Sequence, residues 1–122
     1  MATLVHGTTR HRAELIIRNG PDPGFIEPGG SRTNEGFSTY LEGGPFEFDG
    51  PEVYARGKAA QFPNEGGAVI LVIENVPDDV LAAANPDGLF PLEHGLVQFD
   101  RGAGLEELLA IWASLPKQIR NV

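Results

Sequence analysis

The sequence predicts a single α+β domain over residues 1–122. Its 122 residues, 41% of them hydrophobic, match the length of one domain and suffice for one modest core. Segments with the alternation or the unbroken apolar run of β-strands are interspersed with segments of helical spacing. No internal repeat or linker divides the chain, so the elements follow in the order β-α-loop-β-α-β-turn-β-α.

Each element rests on a local pattern. Strands are predicted where β-prone residues alternate or form an apolar run, at Thr3–His6, Gly36–Leu41, Ala68–Glu74 and Leu96–Phe99. Helices are predicted where apolar residues recur every three or four positions, at Arg10–Asn19, Pro51–Phe62 and Gly104–Ser114, with a short turn at Pro77–Ala84. Two Gly-rich segments, Pro21–Glu35 and Glu42–Gly50, are predicted as long loops, and such loops often carry function.

Charge and composition exclude several classes of protein. The net charge of −8 argues against a large nucleic-acid interface, although Arg10, Arg12 and Arg18 form a local basic cluster. The absence of cysteine excludes disulfides and thiolate catalysis and fits a reducing compartment, so we expect a cytoplasmic protein. No signal-peptide pattern opens the chain, and its longest apolar run, Ala68–Ile73, is too short to span a bilayer. We therefore expect a soluble protein without membrane contact.

Three motifs follow one another along the chain. His6-Gly7-Thr8 ends the opening strand. Gly36-Phe37-Ser38-Thr39-Tyr40 forms the second strand, and the helix after it begins Pro51-Glu52-Val53-Tyr54-Ala55. An apolar strand then precedes a lone acidic residue, Glu93.

In this order the motifs resemble the histidine class of the ADP-ribosyltransferase superfamily. That class includes rifampin-modifying enzymes, poly-ADP-ribose polymerases and RNA 2′-phosphotransferases. Its opening strand ends in His-Gly-Thr or His-Gly-Ser, a later strand carries a Phe-Ser-Thr type motif, and an acidic residue lies on a late strand. The match covers most of Leu4–Phe99. The resemblance implies a small split-sheet fold with peripheral helices and NAD as the bound nucleotide.

The resemblance also implies a role for each matching residue. His6 would donate a hydrogen bond to a hydroxyl of the nicotinamide ribose. Gly7, which has no Cβ, would bring its backbone close to the nicotinamide carboxamide. Tyr54 would stack on the nicotinamide ring. The remaining NAD-binding positions are Thr8, Ser38, Thr39 and Tyr40, with Arg10 or Arg12 at the pyrophosphate.

The acidic position is open between two residues. Cleavage of the nicotinamide–ribose bond develops oxocarbenium character, which a carboxylate on the ribose 2′-hydroxyl stabilises. Glu93 is the residue that the resemblance implies for this role. Gln98, on the strand that follows, is its rival. With Gln98 in the acidic position, the fold would remain while transfer would be weak or absent.

The sequence therefore predicts an NAD-dependent mono-ADP-ribosyltransferase. Its acceptor, a protein or a small molecule, is unknown, and a bacterial toxin or effector with an antitoxin or immunity protein as partner fits the small size. One alternative is an inactive module of the same fold that binds NAD, ADP-ribose or a partner. Another is an RNA 2′-phosphotransferase, which would need a more basic surface. The three histidines lack the i, i+4 spacing of a zinc protease, so no metal is expected.

Overall fold

A computed structural model describes residues 1–21, 37–44, 49–84 and 95–122. The strands in chain order are β1 (Ala2–Thr9), β2 (Phe37–Leu41), β3 (Ala68–Val76), β4 (Leu96–Phe99) and β5 (Lys117–Asn121). The helices are α1 (Arg10–Asn19), α2 (Asp49–Gln61), α3 (Asp78–Ala83) and α4 (Leu105–Ile111), the last continued by a 3₁₀ turn at Trp112–Ser114. The predicted α+β class is confirmed.

The five strands form one antiparallel sheet in the order β4-β2-β1-β3-β5. Strands β1 and β3 lie inside this sheet and are covered on both faces, which explains why β3 has an unbroken apolar run rather than an alternation. One face packs on α1, α3 and α4 around the main hydrophobic core, and we call it the core face. The other packs on α2 through a smaller cluster of Val5, Ile70 and Val72, and we call it the α2 face.

The predicted elements are all present, but one further strand was not predicted and several bounds differ. Strand β1 runs from Ala2 to Thr9, where Thr3–His6 was predicted, so Gly7 and Thr8 are part of it. Strand β3 continues to Val76, past the predicted end at Glu74. Strand β5 was not predicted, because its sequence Lys-Gln-Ile-Arg-Asn holds one apolar residue and lies at an exposed sheet edge. Helix α2 begins at Asp49, two residues before the expected start at Pro51. The predicted last helix is α-helical only to Ile111. Most of the predicted loop Pro21–Glu35 and part of the predicted loop Glu42–Gly50 lie outside the described residues.

An ion pair joins the start of α1 to the connection between α2 and β3. Arg12 Nε lies 2.7 Å from Glu65 Oε2, and a second guanidinium nitrogen donates to Oε1 at 3.0 Å. Thr9 Oγ1 donates to the same carboxylate at 2.8 Å and accepts from the Arg12 backbone amide, so it also caps α1. The Phe62 ring lies 4.5 Å from the guanidinium carbon. These contacts fix the end of β1.

Replacing the Glu65 carboxylate is expected to lower stability in a pH-dependent way. Hydrogen bonds from Arg12 hold the pKa of Glu65 below its usual value, against the opposing effect of burial. A lowered carboxyl pKa stabilises the fold above the unfolded pKa of about 4.3, and this stabilisation is lost as the pH falls through the folded value. We expect Glu65→Gln to cost about 2 kcal/mol at pH 7, because it leaves a buried guanidinium without its partner.

Urea unfolding at pH 7, 5, 4 and 3 measures this difference. The gap between wild type and Glu65→Gln should narrow below pH 5. Glu52→Gln, which removes an exposed carboxylate 3.8 Å from Arg56, should leave stability nearly unchanged. A gap of constant size across this pH range would contradict the assignment.

Candidate functional site

The ladder between β1 and β2 is short and ends beside the His-Gly-Thr motif. Residue pairing joins Leu4 to Leu41 and Val5 to Tyr40. The same register would bring His6 opposite Thr39 and then Gly7 opposite Ser38, but the described pairing stops before these two pairs. On its other side, β1 pairs with β3 as far as Thr9. The described ladder between β1 and β2 therefore ends at the Val5–Tyr40 pair, and we call the unpaired stretch beyond it, between His6-Gly7 on β1 and Ser38 on β2, the split.

The backbone of Gly7 faces this split. The Glu42 amide donates to the Thr3 carbonyl at 2.9 Å, so the peptide groups of Thr3 point toward β2. Backbone groups two residues apart along a strand point the same way, which turns Val5 and Gly7 toward β2 as well. Val5 pairs with Tyr40. Gly7, at the next such position, presents its amide edge to the split.

His6 contributes its side chain to the same place. Its Nδ1 lies 2.7 Å from the Ser38 carbonyl oxygen, the acceptor that an unbroken ladder would offer to the Gly7 amide. Because a carbonyl only accepts, Nδ1 donates the proton in this hydrogen bond. The imidazole packs against the Phe37 ring with centroids 4.6 Å apart and is 8% exposed. The hydrogen bond from His6 to a ribose hydroxyl, which the resemblance implies, stays a prediction.

Helix α2 closes over Gly7 on the other face of the sheet. A Cβ at Gly7 would lie 1.8 Å from the Pro51 carbonyl oxygen, so only glycine allows this approach. Three residues of α2 at helical spacing, Pro51, Ala55 and Lys58, are buried on the side toward β1. The Lys58 ammonium reaches the Gly7 carbonyl at 3.5 Å, and Lys58 is 8% exposed. Gly7 is thus contacted by Pro51 and by Lys58, the first and last residues of this buried stripe.

A chain of polar side chains borders the split on β2 and β4. Ser38 Oγ donates to Gln98 Oε1 at 3.2 Å, and Gln98 Nε2 donates to the Asp100 carboxylate at 2.9 Å. Ser38 and Gln98 are paired across the two strands, and two-residue alternation places Asp100 on their side. Gln98 therefore lies beside Ser38, with its amide oriented by Asp100. Glu93, the implied acidic residue, lies outside the described residues.

The two tyrosines of the motifs lie near each other, Tyr40 on the α2 face of the sheet and Tyr54 on α2. Tyr40 packs against the cluster around Val5, and a Cβ on Gly50 would lie 2.5 Å from its ring. Burial, and secondarily the nearby Tyr54, raises the pKa of Tyr40. Tyr54 itself is 56% exposed. Since the His6 ring lies on the core face, a ligand touching both His6 and Tyr54 must enter the split.

The remaining predicted residues are less close to the split. Thr8 and Thr39 are buried on the core face and hold β1 and β2 in place. Arg10 donates to the Asn121 side chain on β5, beyond β3 and on the opposite side of β1 from Ser38. Arg12, the alternative pyrophosphate contact, is held by Glu65. The described residues therefore unite His6, Gly7 and Ser38 but place both arginines elsewhere.

Two residues near the split were missed from the sequence. In the sequence, Lys58 looks like an ordinary polar helix residue. It stands three positions after Ala55, however, and this spacing places both residues on the same, buried side of α2. Asp100 directly follows the last predicted strand, two positions after Gln98, so alternation alone would have placed them on one face.

No protein-family model matches the chain, and neither a curated protein nor a solved structure matches it. Among the helices of the described ranges, none is long and apolar enough to cross a membrane. The described part of the chain also holds no cluster of three or more histidine or acidic side chains arranged to bind a metal ion.

Substitution of Gly7 tests the close approach of α2 to β1. Gly7→Ala places a methyl group against the backbone of Pro51, which cannot rotate away, so we expect a loss of about 3 kcal/mol. Gly57→Ala is the matched control, because that glycine lies on the exposed side of α2 and a methyl group added there would have no neighbour within 4 Å. The control should gain about 1 kcal/mol from helix propensity. Equal stabilities of the two variants in urea unfolding would contradict the packing described.

Proposed function

We propose that this chain is an NAD-dependent mono-ADP-ribosyltransferase whose nicotinamide site is the split between β1 and β2. The observation that carries the proposal is the end of the β1–β2 ladder at His6, which turns the Gly7 backbone edge into the split. A carboxamide has one donor group and one acceptor oxygen, and a strand edge offers the complementary pair. The split is thus suited to a planar amide such as nicotinamide.

The neighbouring side chains supply the rest of the proposed site. The carboxamide would bind the Gly7 backbone, and the His6 side chain would hydrogen-bond to a ribose hydroxyl. The ring of Tyr54, exposed on α2, would cover the nicotinamide. The walls of the proposed site would be formed by Ser38 and Tyr40. Thr8 and Thr39, which are buried, would support the two strands from the core face.

The reaction breaks one bond and forms one. The bond between the ring nitrogen of NAD and C1′ of the ribose breaks, and its electron pair stays on the nitrogen, so nicotinamide leaves as a neutral molecule. An acceptor nucleophile bonds to C1′ and loses its proton. The protein's part is to orient the donor and to stabilise the positive charge that grows on the ribose. Glu93 would supply that stabilisation.

A second candidate function is binding without transfer. Gln98 is neutral, and its oxygen, not a carboxylate, lies 3.2 Å from Ser38 Oγ. An amide oxygen can accept from a ribose hydroxyl but offers less stabilisation of an adjacent positive charge than a carboxylate. If Gln98 stands in the acidic position, the chain is an NAD- or ADP-ribose-binding module. The net charge of −8 weighs against a third candidate, an RNA 2′-phosphotransferase.

Release of nicotinamide from NAD, followed by chromatography, tests the proposal and separates the two candidates. A transferase releases nicotinamide slowly to water, and His6→Ala should reduce the rate by about a hundredfold, while Glu93→Ala should abolish it. A binding module should bind NAD in calorimetry without release, and Gln98→Glu should then create measurable release. Gln118→Glu is the control for the added charge, because Gln118 also lies beside a carboxylate, Glu74, but on the far edge strand.

Two outcomes would count against the proposal. Failure of wild type to bind NAD or nicotinamide at millimolar concentration would remove both candidates. Release that persists unchanged in His6→Ala would move the site away from the split.

A further inference from the structure

Lys58 is the one buried cation that the described residues place beside the Gly7 peptide. The side chain extends from α2 toward β1, its ammonium is 3.5 Å from the Gly7 carbonyl oxygen, and the residue is 8% exposed. Most lysines lie at the surface, because burying an ammonium is costly without compensating contacts. Lys58 is nevertheless buried, and its ammonium lies next to the Gly7 backbone, which the proposed function assigns to the nicotinamide carboxamide.

We infer that Lys58 uses its positive charge to favour cleavage of a cationic pyridinium ring into a neutral one. This inference rests on the proposed function. In bound NAD the nicotinamide ring carries a positive charge, and the ring loses that charge when the electron pair of the broken bond passes to its nitrogen. A nearby ammonium repels the ring before cleavage and not after it. The repulsion therefore raises the energy of the bound ring more than that of the transition state, which accelerates cleavage.

The size of the effect follows from the distance. A ring whose carboxamide binds Gly7 would be one hydrogen bond of about 2.9 Å beyond the Gly7 peptide, which puts its nitrogen on the order of 7 Å from the ammonium. At an effective dielectric constant of about 20 to 40, two like charges at that distance change binding by roughly tenfold or more. The same interaction would also give the split a preference for neutral amides over cationic ones.

Two ligands of the same shape isolate this charge effect without any turnover. 1-Methylnicotinamide is a cation, and 3-methylbenzamide is its neutral counterpart, with carbon in place of the ring nitrogen and the methyl group at the same position. The ratio of their dissociation constants is measured by calorimetry or by nuclear magnetic resonance titration. Comparing this ratio between variants cancels the difference in hydration of the two ligands.

The variants separate the charge of Lys58 from its hydrogen bond. Lys58→Gln removes the charge but keeps a polar side chain with a hydrogen-bond donor, and Lys58→Met removes both the charge and the donor. We expect the preference for 3-methylbenzamide to fall by about tenfold in both variants and to persist in Lys58→Arg. Arg56→Met, which removes an exposed charge from the same helix, should leave the ratio unchanged. In an active protein Lys58→Gln should lower kcat without raising KM.

Each outcome decides one of the two claims. If wild type binds neither ligand nor nicotinamide, the proposed function fails and this inference fails with it. If wild type binds them and Lys58→Gln leaves the ratio unchanged, the proposed function stands and the inference is wrong. Thermal unfolding checks that the variants fold. Should neither neutral variant fold, equal affinities of wild type for the two ligands would still overturn the inference.

Discussion

The hydrogen bond between His6 and the Ser38 carbonyl is the interaction on which the site depends. In a regular antiparallel sheet that carbonyl would receive the Gly7 amide, and β1 and β2 would continue side by side. The imidazole takes the carbonyl instead, 2.7 Å from Nδ1, and its ring packs on Phe37. One side chain thus ends a β-ladder and leaves a strand edge inside the sheet rather than at its border.

The surrounding structure fixes the end of β1, where its ladder with β2 stops. The Arg12–Glu65 ion pair ties the end of β1 to the connection behind α2, and Glu65 binds Thr9 at the same time. Helix α2 packs its Pro51 backbone onto Gly7, an approach that no other residue type allows. These contacts hold the end of β1 between the main core on one face of the sheet and α2 on the other.

The sequence predicted most of the fold and only part of the site. The apolar run of β3 and the helical spacing of α1 are local signals, so both elements were predicted close to their observed positions. Strand β5 has no such signal, because an exposed edge strand needs no apolar face. The contact between His6 and Ser38 joins residues 32 positions apart, and the local sequence around neither residue indicates it. The burial of Lys58 depends likewise on which side of α2 faces β1, a question that local spacing alone leaves open.

The most direct measurement is a crystal structure of the protein soaked with nicotinamide. We expect the carboxamide to lie between β1 and β2 and to exchange hydrogen bonds with the Gly7 backbone, with the ring beneath Tyr54 and within about 8 Å of the Lys58 ammonium. Nicotinamide bound elsewhere, with β1 and β2 unchanged, would contradict this assignment of the site. So would a regular ladder in which the Gly7 amide donates to Ser38 and His6 turns away.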